Sequence, residues 1–131
     1  MTTIAEVLER ARERLTRVEP TAAHEELAGG ALLVDIRPQA QRAEEGEVEG
    51  ATVIERNVLE WRLDPASEVR IPQATDHDVR ILVICSQGYT SSLAAASLLD
   101  LGLWRATDVI GGVAAWRDAG LPIGRTQAPG T

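Results

Sequence analysis

The apolar positions of this chain fall in short runs whose spacing alternates between helical and strand-like. Ile4, Val7, Leu8, Ala11, Leu15 and Val18 recur at helical spacing on one face. Thr3 with Glu6 forms a capping box ahead of this run and Pro20 stops it, so residues 1–20 predict one amphipathic helix. Its opposite face carries Arg10, Arg12, Glu13, Arg14 and Arg17. Because Glu6, Glu9 and Glu13 interleave with these arginines, the helix is expected to pack on the core as an accessory element, not to lie on a membrane. Residues 21–27 predict a short helix ended by Gly29-Gly30. Residues 31–36 predict a buried strand, with Arg37-Pro38 turning the chain away. A helix over 39–45 ending at Gly46 and a short strand over 52–55 follow, and Asn57 is placed to cap a helical turn through Trp61. Residues 64–79, with Pro65 and Pro72 among polar neighbours, predict a surface loop. Residues 80–85 form the central strand, 92–101 an alanine- and leucine-rich helix, and 107–110 a further strand. Gly111-Gly112 opens a helix through Ala119, Gly120-Leu121-Pro122 closes the fold, and residues 124–131 are expected to be a loose tail.

Short apolar strands alternating with helices indicate an α/β domain with a mostly parallel central sheet flanked by helices. The length, 131 residues, suits one such domain. In parallel sheets of this kind, ligands bind outside the carboxyl ends of the strands. Residues 35–37, Arg56 with Asn57, Cys85, and Gly111-Gly112 all fall at such ends, so four separated segments should meet at one place.

Composition narrows the possibilities. Apolar residues make up 44% and charged residues 25%, as in an ordinary globular protein, and no apolar run is long enough to cross a membrane. The first residues, Met1-Thr2-Thr3-Ile4-Ala5-Glu6, lack the basic-then-apolar plan of a signal peptide. A single cysteine cannot make an internal disulfide, and a reducing, cytoplasmic setting is expected. The net charge of −7 removes any general attraction to nucleic acid or to an anionic membrane. Acid concentrates in residues 44–49, which read as a solvated turn. His24 and His77 stand far apart without metal-ligand spacing, so neither a metal nor an organic cofactor is expected.

The candidate chemistry centres on that one cysteine. Cys85 follows four apolar residues, Ile81-Leu82-Val83-Ile84, and precedes a polar loop, Ser86-Gln87-Gly88-Tyr89-Thr90-Ser91, that leads into a helix. Strand, tight loop and helix together converge backbone N–H groups on one point, where they favour a thiolate, the nucleophilic form of sulfur. The plainer reading is a small buried residue at the end of a strand. The loop-to-helix context favours the nucleophile. A thiolate ringed by N–H donors suits attack on a phosphate or arsenate, or on sulfane sulfur. Phosphoryl transfer requires cations around the equatorial oxygens. Residues 86–92 contain no Lys or Arg, and Ser91 occupies the position six after cysteine where tyrosine-phosphatase-like sites carry arginine. Sulfur transfer asks only that a small anionic sulfur chain be held, which the amides of residues 86–91 and the hydroxyls of Ser86, Tyr89, Thr90 and Ser91 can do. A cation for an anionic donor must come from elsewhere. Arg56 is the candidate, while Arg37 is expected in an ion pair with Asp35 or a nearby glutamate and Arg62 on an exposed helix. Tyr89, the only tyrosine, is placed to shield the site or meet a partner. Trp116 is expected in the core, and Trp61 and Trp104 in core or rim packing.

These segments resemble the rhodanese-like family of single-domain sulfurtransferases across roughly residues 21–123. Leu33-Val34-Asp35-Ile36-Arg37 is similar to the family's strand ending in Asp-Val-Arg, and Gly46-Glu47-Val48-Glu49-Gly50-Ala51 to its Gly-His-Ile-Pro-Gly-Ala. Cys85 falls on the persulfide-forming cysteine and Gly88 on the loop glycine. Gly111-Gly112-Val113-Ala114-Ala115-Trp116 and Gly120-Leu121-Pro122 match the closing signature. The chain departs from the pattern at Thr90, where many thiosulfate-using members carry arginine, and at Glu47 and Glu49. The resemblance implies a three-layer domain over 21–123, to which the helix over 1–20 read from apolar spacing is an addition. It implies a catalytic Cys85, and a substrate-binding set of Ser86, Gln87, Gly88, Tyr89, Thr90 and Ser91, to which Arg56 is added here. The implied activity moves sulfur from a donor such as thiosulfate to a thiol, cyanide or protein acceptor. The alternatives are a regulatory or binding module with little turnover, and a relay protein passing sulfur between enzymes.

Overall fold

The computed structural model describes residues 1–124. In chain order it contains α1 (Ile4–Glu13), α2 (Pro20–Ala28), β1 (Leu32–Asp35), α3 (Gln39–Glu45), β2 (Glu47–Val48), β3 (Thr52–Val53), α4 (Leu59–Leu63), β4 (Ile81–Ile84), α5 (Thr90–Asp100), β5 (Ala106–Asp108), α6 (Gly112–Asp118) and β6 (Ile123–Gly124). Four strands form an all-parallel sheet in the order β3-β1-β4-β5. A sheet covered on both faces needs apolar residues at every position of its central strands, which is why β4 reads as an unbroken Ile-Leu-Val-Ile.

Side chains alternate across that sheet and divide the core in two. Ile81, Val83 and Cys85 face a cluster with Val34, Leu59, Leu63, Ala94, Ala95 and Leu98, beneath α4 and α5. Leu82 and Ile84 face the other cluster, with Ala23, Leu33, Val113 and Trp116, beneath α2 and α6. The layers are therefore helix, sheet, helix, with Cys85 on the α5 side.

Most elements lie where the pattern places them, and α3 matches its predicted range. The differences lie where tertiary contacts outweigh local preference. The first helix stops at Glu13 although apolar spacing continues to Val18. Val18 instead pairs in parallel with Val109, through Val18 N to Asp108 O at 3.1 Å and Ile110 N to Val18 O at 2.9 Å. The extended segment adds itself to the free edge of β5, where β-branched Thr16 and Val18 are at ease. The acidic stretch 44–49 is not simply a solvated turn: Glu47–Val48 pairs antiparallel with Ile123–Gly124, Val48 is buried, and Glu47 is bound by Arg42 at 2.7 Å. Gly124 therefore belongs to a strand, and the rest of the expected tail, 125–131, lies outside the described residues. Asn57 sits within a 3-10 turn, Arg56–Val58, and does not cap it. Helix α5 begins at Thr90, two residues before expectation. Trp61 and Trp104 are both largely exposed, whereas Trp116 is fully buried and donates to the Pro122 carbonyl at 3.0 Å.

Candidate active site

β4 delivers Cys85 to the carboxyl edge of the sheet between β1 and β5, and the sulfur is almost wholly buried there. The chain then turns through Gly88, whose φ of +85° favours glycine. The backbone of this loop is oriented from behind. Val113 N donates to the Cys85 carbonyl at 2.8 Å, and Ala114 N donates to the Ser86 carbonyl at 3.0 Å. Gly112 allows this approach, because a Cβ there would lie 2.3 Å from the Cys85 carbonyl oxygen. The Gly88 carbonyl accepts from Arg12 Nη2 at 2.8 Å and Arg17 Nη2 at 3.0 Å. In a trans peptide the C=O and the following N–H point in opposite directions. Turning the three carbonyls outward therefore turns the amides of Ser86, Gln87 and Tyr89 toward the other side. The Gly88 amide itself donates to Cys85 Sγ at 3.2 Å. Among the described residues, the amides of Gln87, Tyr89 and Thr90 have no protein acceptor.

In front of the sulfur lies a cavity of about 470 Å³, lined by residues that include Ile36, Arg37, Gln41, Arg56, Cys85, Gln87, Tyr89 and Thr90. The expected site residues divide as follows. Ser86, Gln87, Tyr89, Thr90 and Arg56 line this cavity with Cys85. Ser91 does not, since it is buried and its hydroxyl donates to Asp108 at 2.8 Å. The Ser86 hydroxyl is engaged too, 2.8 Å from Glu45 Oε1 and 2.9 Å from Gln41 Oε1. The hydroxyls left to face a ligand are those of Tyr89 and Thr90, both exposed.

Arg37 is wholly buried and pairs with Asp35 at 2.7 Å and Glu45 at 3.1 Å, while also donating to the Gly46 carbonyl. Burial alone would lower the guanidinium's affinity for its proton. The hydrogen bonds and charges of Asp35 and Glu45 outweigh burial and raise its pKa above the ordinary arginine value. Arg56 is on the cavity side of the sheet but is not a free cation, because Glu60 binds it through both oxygens at 2.9 and 3.0 Å. Burial would raise the Glu60 pKa. The Ser97 hydroxyl, a backbone amide and Arg56 together hold it below the ordinary glutamate range. Arg62 donates to the Val69 carbonyl and ties down the 64–71 loop.

Sequence reasoning missed three residues behind the loop. Asp108, at the end of β5, is fully buried and accepts from Ser91 and Ser92, each at 2.8 Å, and from Arg17 at 2.9 and 3.1 Å. Arg12 donates to the Ser92 hydroxyl at 3.1 Å and stands 5.7 Å over the Tyr89 ring. Arg12 and Arg17, which helical spacing places on the face opposite the apolar stripe, instead reach the loop. Arg12 follows Leu8 by four residues and so shares its flank, and Arg17 lies in the segment that joins the edge of β5. The i+4 relation to Leu8 was the one available signal. A larger cavity, about 740 Å³, opens at the amino ends of β1 and β4 beside Glu26, Arg80 and Arg105, away from the sulfur.

A family model described as rhodanese-like domain matches residues 19–119. The chain is 36% identical over 102 residues to the thiosulfate sulfurtransferase GlpE of Pseudomonas entomophila (strain L48), covering 77% of this chain and 84% of that protein. It is 31% identical over 109 residues to a protein of the same name from Haemophilus influenzae (strain ATCC 51907 / DSM 11121 / KW20 / Rd), covering 83% and 94%. Among solved structures it is similar to a protein of unknown function from Rhodopseudomonas palustris CGA009, described as a possible tyrosine phosphatase. The TM-score there is 0.84 at 31% identity, over 94% of this chain and 95% of that one.

Proposed function

The chain belongs to the rhodanese-like family of sulfurtransferases, and on that premise we propose that Cys85 carries sulfane sulfur as a persulfide between an anionic donor and a thiol or cyanide acceptor. The Cys85 thiolate attacks the outer sulfur of a donor such as thiosulfate. A new S–S bond forms to Sγ, the donor's own S–S bond breaks, and its electron pair leaves on sulfite. An acceptor thiolate, small or on a protein, or cyanide then attacks the outer sulfur, and the pair in the persulfide bond returns to Cys85. This is covalent catalysis in two half-reactions with ping-pong kinetics. The Gly88 amide steadies charge on Sγ, and the amides of Gln87, Tyr89 and Thr90 hold the outer sulfur. Tyr89 and Thr90 wall the cavity, and Arg56 faces the donor's anionic end across it. Thr90 adds no charge, so a small anion is held mainly by backbone dipoles, and donor capture is expected to be weak.

The observation that carries this reading is the Gly88 amide aimed at Sγ with the loop's carbonyls turned onto donors behind it. The same ring of amides suits an oxyanion. Phosphoryl transfer also needs cations on the transferring group, and the loop has none. At the position six after Cys85 stands Ser91, which is spent on Asp108.

The test is intact-protein mass after incubation with thiosulfate. The protein should gain one sulfur, and the gain should vanish with cyanide. Cys85→Ser, nearly isosteric, should fold normally and gain none. Loading of the serine variant would sink the assignment. In the same assay Arg56→Ala should slow loading by about tenfold, at the low end for a charge-assisted contact because Glu60 already satisfies part of the guanidinium. Its later discharge to a neutral thiol should change far less.

A further inference from the structure

The loop around Cys85 contains no basic residue, yet two guanidiniums meet at its turn. Both come from the N-terminal segment, ahead of the residues matched by the family model. Arg12 Nη2 and Arg17 Nη2 donate to one oxygen, the Gly88 carbonyl, at 2.8 and 3.0 Å. Their surroundings differ. Arg17 is neutralised by a two-pronged pair with the buried Asp108. Arg12 is partly buried and binds only neutral groups: the Gly88 carbonyl, the Ser92 hydroxyl and the Tyr89 ring face. Among the described residues no carboxylate pairs with it directly: Asp108 is reached only through the Ser92 hydroxyl and already pairs with Arg17, so two cations share one anion behind the loop.

We propose that the N-terminal segment, α1 and the extended stretch after it, is a working part of this active site. Arg12, with Arg17, holds the Gly88 carbonyl outward so that the Tyr89 amide faces the sulfur, and Arg12 lends the loop the positive charge its own sequence lacks. Each part follows from the geometry. A carbonyl oxygen with two lone pairs, each taken by a guanidinium, resists rotation of its peptide plane. That plane carries the Tyr89 N–H on its opposite edge. Without the two arginines the plane is free to turn, and its oxygen, a negative dipole end, can swing toward the thiolate. A cation in a partly buried place is screened less than one on the surface, so its field reaches the cavity. The Tyr89 ring under Arg12 fixes the loop tip through a cation–π contact. Arg12 and Arg17 are thus positioning residues: they touch the loop and not the reacting atoms.

This inference rests on Cys85 being the reactive group, and the arm of its test that reads charge does not require sulfur transfer. Alkylation of Cys85 is timed with iodoacetate, an anion, and with iodoacetamide, its neutral analogue, and the ratio of rates is taken. A merely structural loss changes both reagents alike, and so does any change in thiolate fraction, whereas loss of positive field adds a further penalty on the anion and lowers the ratio. Arg12→Gln should lower the ratio roughly fivefold at low salt, with the difference fading as salt is added. Arg14→Gln removes the same charge at the end of the same helix but from a surface pair with Asp100, and should leave the ratio unchanged. Arg12→Lys keeps the charge but cannot bridge the Gly88 carbonyl and the Ser92 hydroxyl together. It should retain the ratio while persulfide loading slows roughly fivefold. A folded Arg12→Gln with the wild-type ratio and loading rate overturns the proposal. If Arg12→Gln does not fold, Arg12→Lys decides: wild-type loading overturns the carbonyl-holding role, and a lowered ratio overturns the role of charge. Should the wild-type protein fail to load sulfur, the persulfide reading falls while the alkylation ratio still tests Arg12.

Discussion

The strands on either side of the cysteine strand each end in a fully buried aspartate bound to an arginine, and the two pairs are built in opposite ways. On the β1 side, Asp35 and Arg37 are two residues apart and both wholly buried, and Arg37 also meets Glu45 and the Gly46 carbonyl at the far end of α3. On the β5 side, Asp108 is met by Arg17 from 91 residues away, and Arg17 remains partly exposed. The first pair ties β1 to α3 and forms a rigid wall of the cavity. The second ties the N-terminal segment and the first turn of α5 to the back of the loop that follows Cys85, through Ser91, Ser92 and the Gly88 carbonyl. A local pair can be made as the turn forms, and its role is to hold the scaffold. A long-range pair forms only when the sheet edge is complete, and it fixes the backbone that surrounds the sulfur. The β1 pair should therefore govern stability and the β5 pair activity.

The largest effect on stability should come from Asp35→Asn. It leaves a wholly buried guanidinium short of charge and should cost about 3–5 kcal/mol in urea unfolding. Retention of wild-type stability would mean that Glu45 alone suffices and would dissolve the contrast. Asp108→Asn should cost less, about 1–3 kcal/mol, because Arg17 can turn to water. Its signature is kinetic: persulfide loading in the folded variant should slow at least as much as in Arg12→Gln, since the one oxygen that remains cannot accept from Ser91, Ser92 and Arg17 together. If loading is unchanged while stability falls, the β5 pair is scaffold like its counterpart. The smallest effect concerns Glu60, which braces Arg56 on the β3 side. Its pKa is lowered in the folded state, so its contribution to stability is complete above the ordinary carboxylate range. That contribution is lost as pH falls through the lowered value. With both partners part-exposed it should be at most about 1 kcal/mol. Glu60→Gln should flatten the acid limb of stability by that amount, and an unchanged limb would show that the pair contributes nothing.

Much of the molecule was legible along the chain. Residues 39–45 carry both helix and stop signal, with Gly46 at φ +95°, and so matched their predicted bounds. The β4 run was legible because a doubly covered strand must be apolar throughout. Cys85 stood out because strand, glycine loop and helix are consecutive, so the environment of the sulfur is written within a few residues of it. The β2–β6 pair was not legible, since strands of two residues have no period to read.

What sequence alone determined is the set of local features: the apolar β4, the turn at Gly88, the small residues Gly111 and Gly112 that let α6 approach the loop, and the Asp35–Arg37 brace. Each is decided by backbone conformation and neighbours a few positions away. Tertiary structure alone decided which way the loop's peptide planes face. The carbonyl of Gly88 accepts from donors that arrive from residues 12 and 17, 76 and 71 positions earlier, and no local pattern announces them. Those arginines look like ordinary surface charges in sequence. They reach the loop only because the helix ends at Glu13 and the chain beyond it joins the edge of β5.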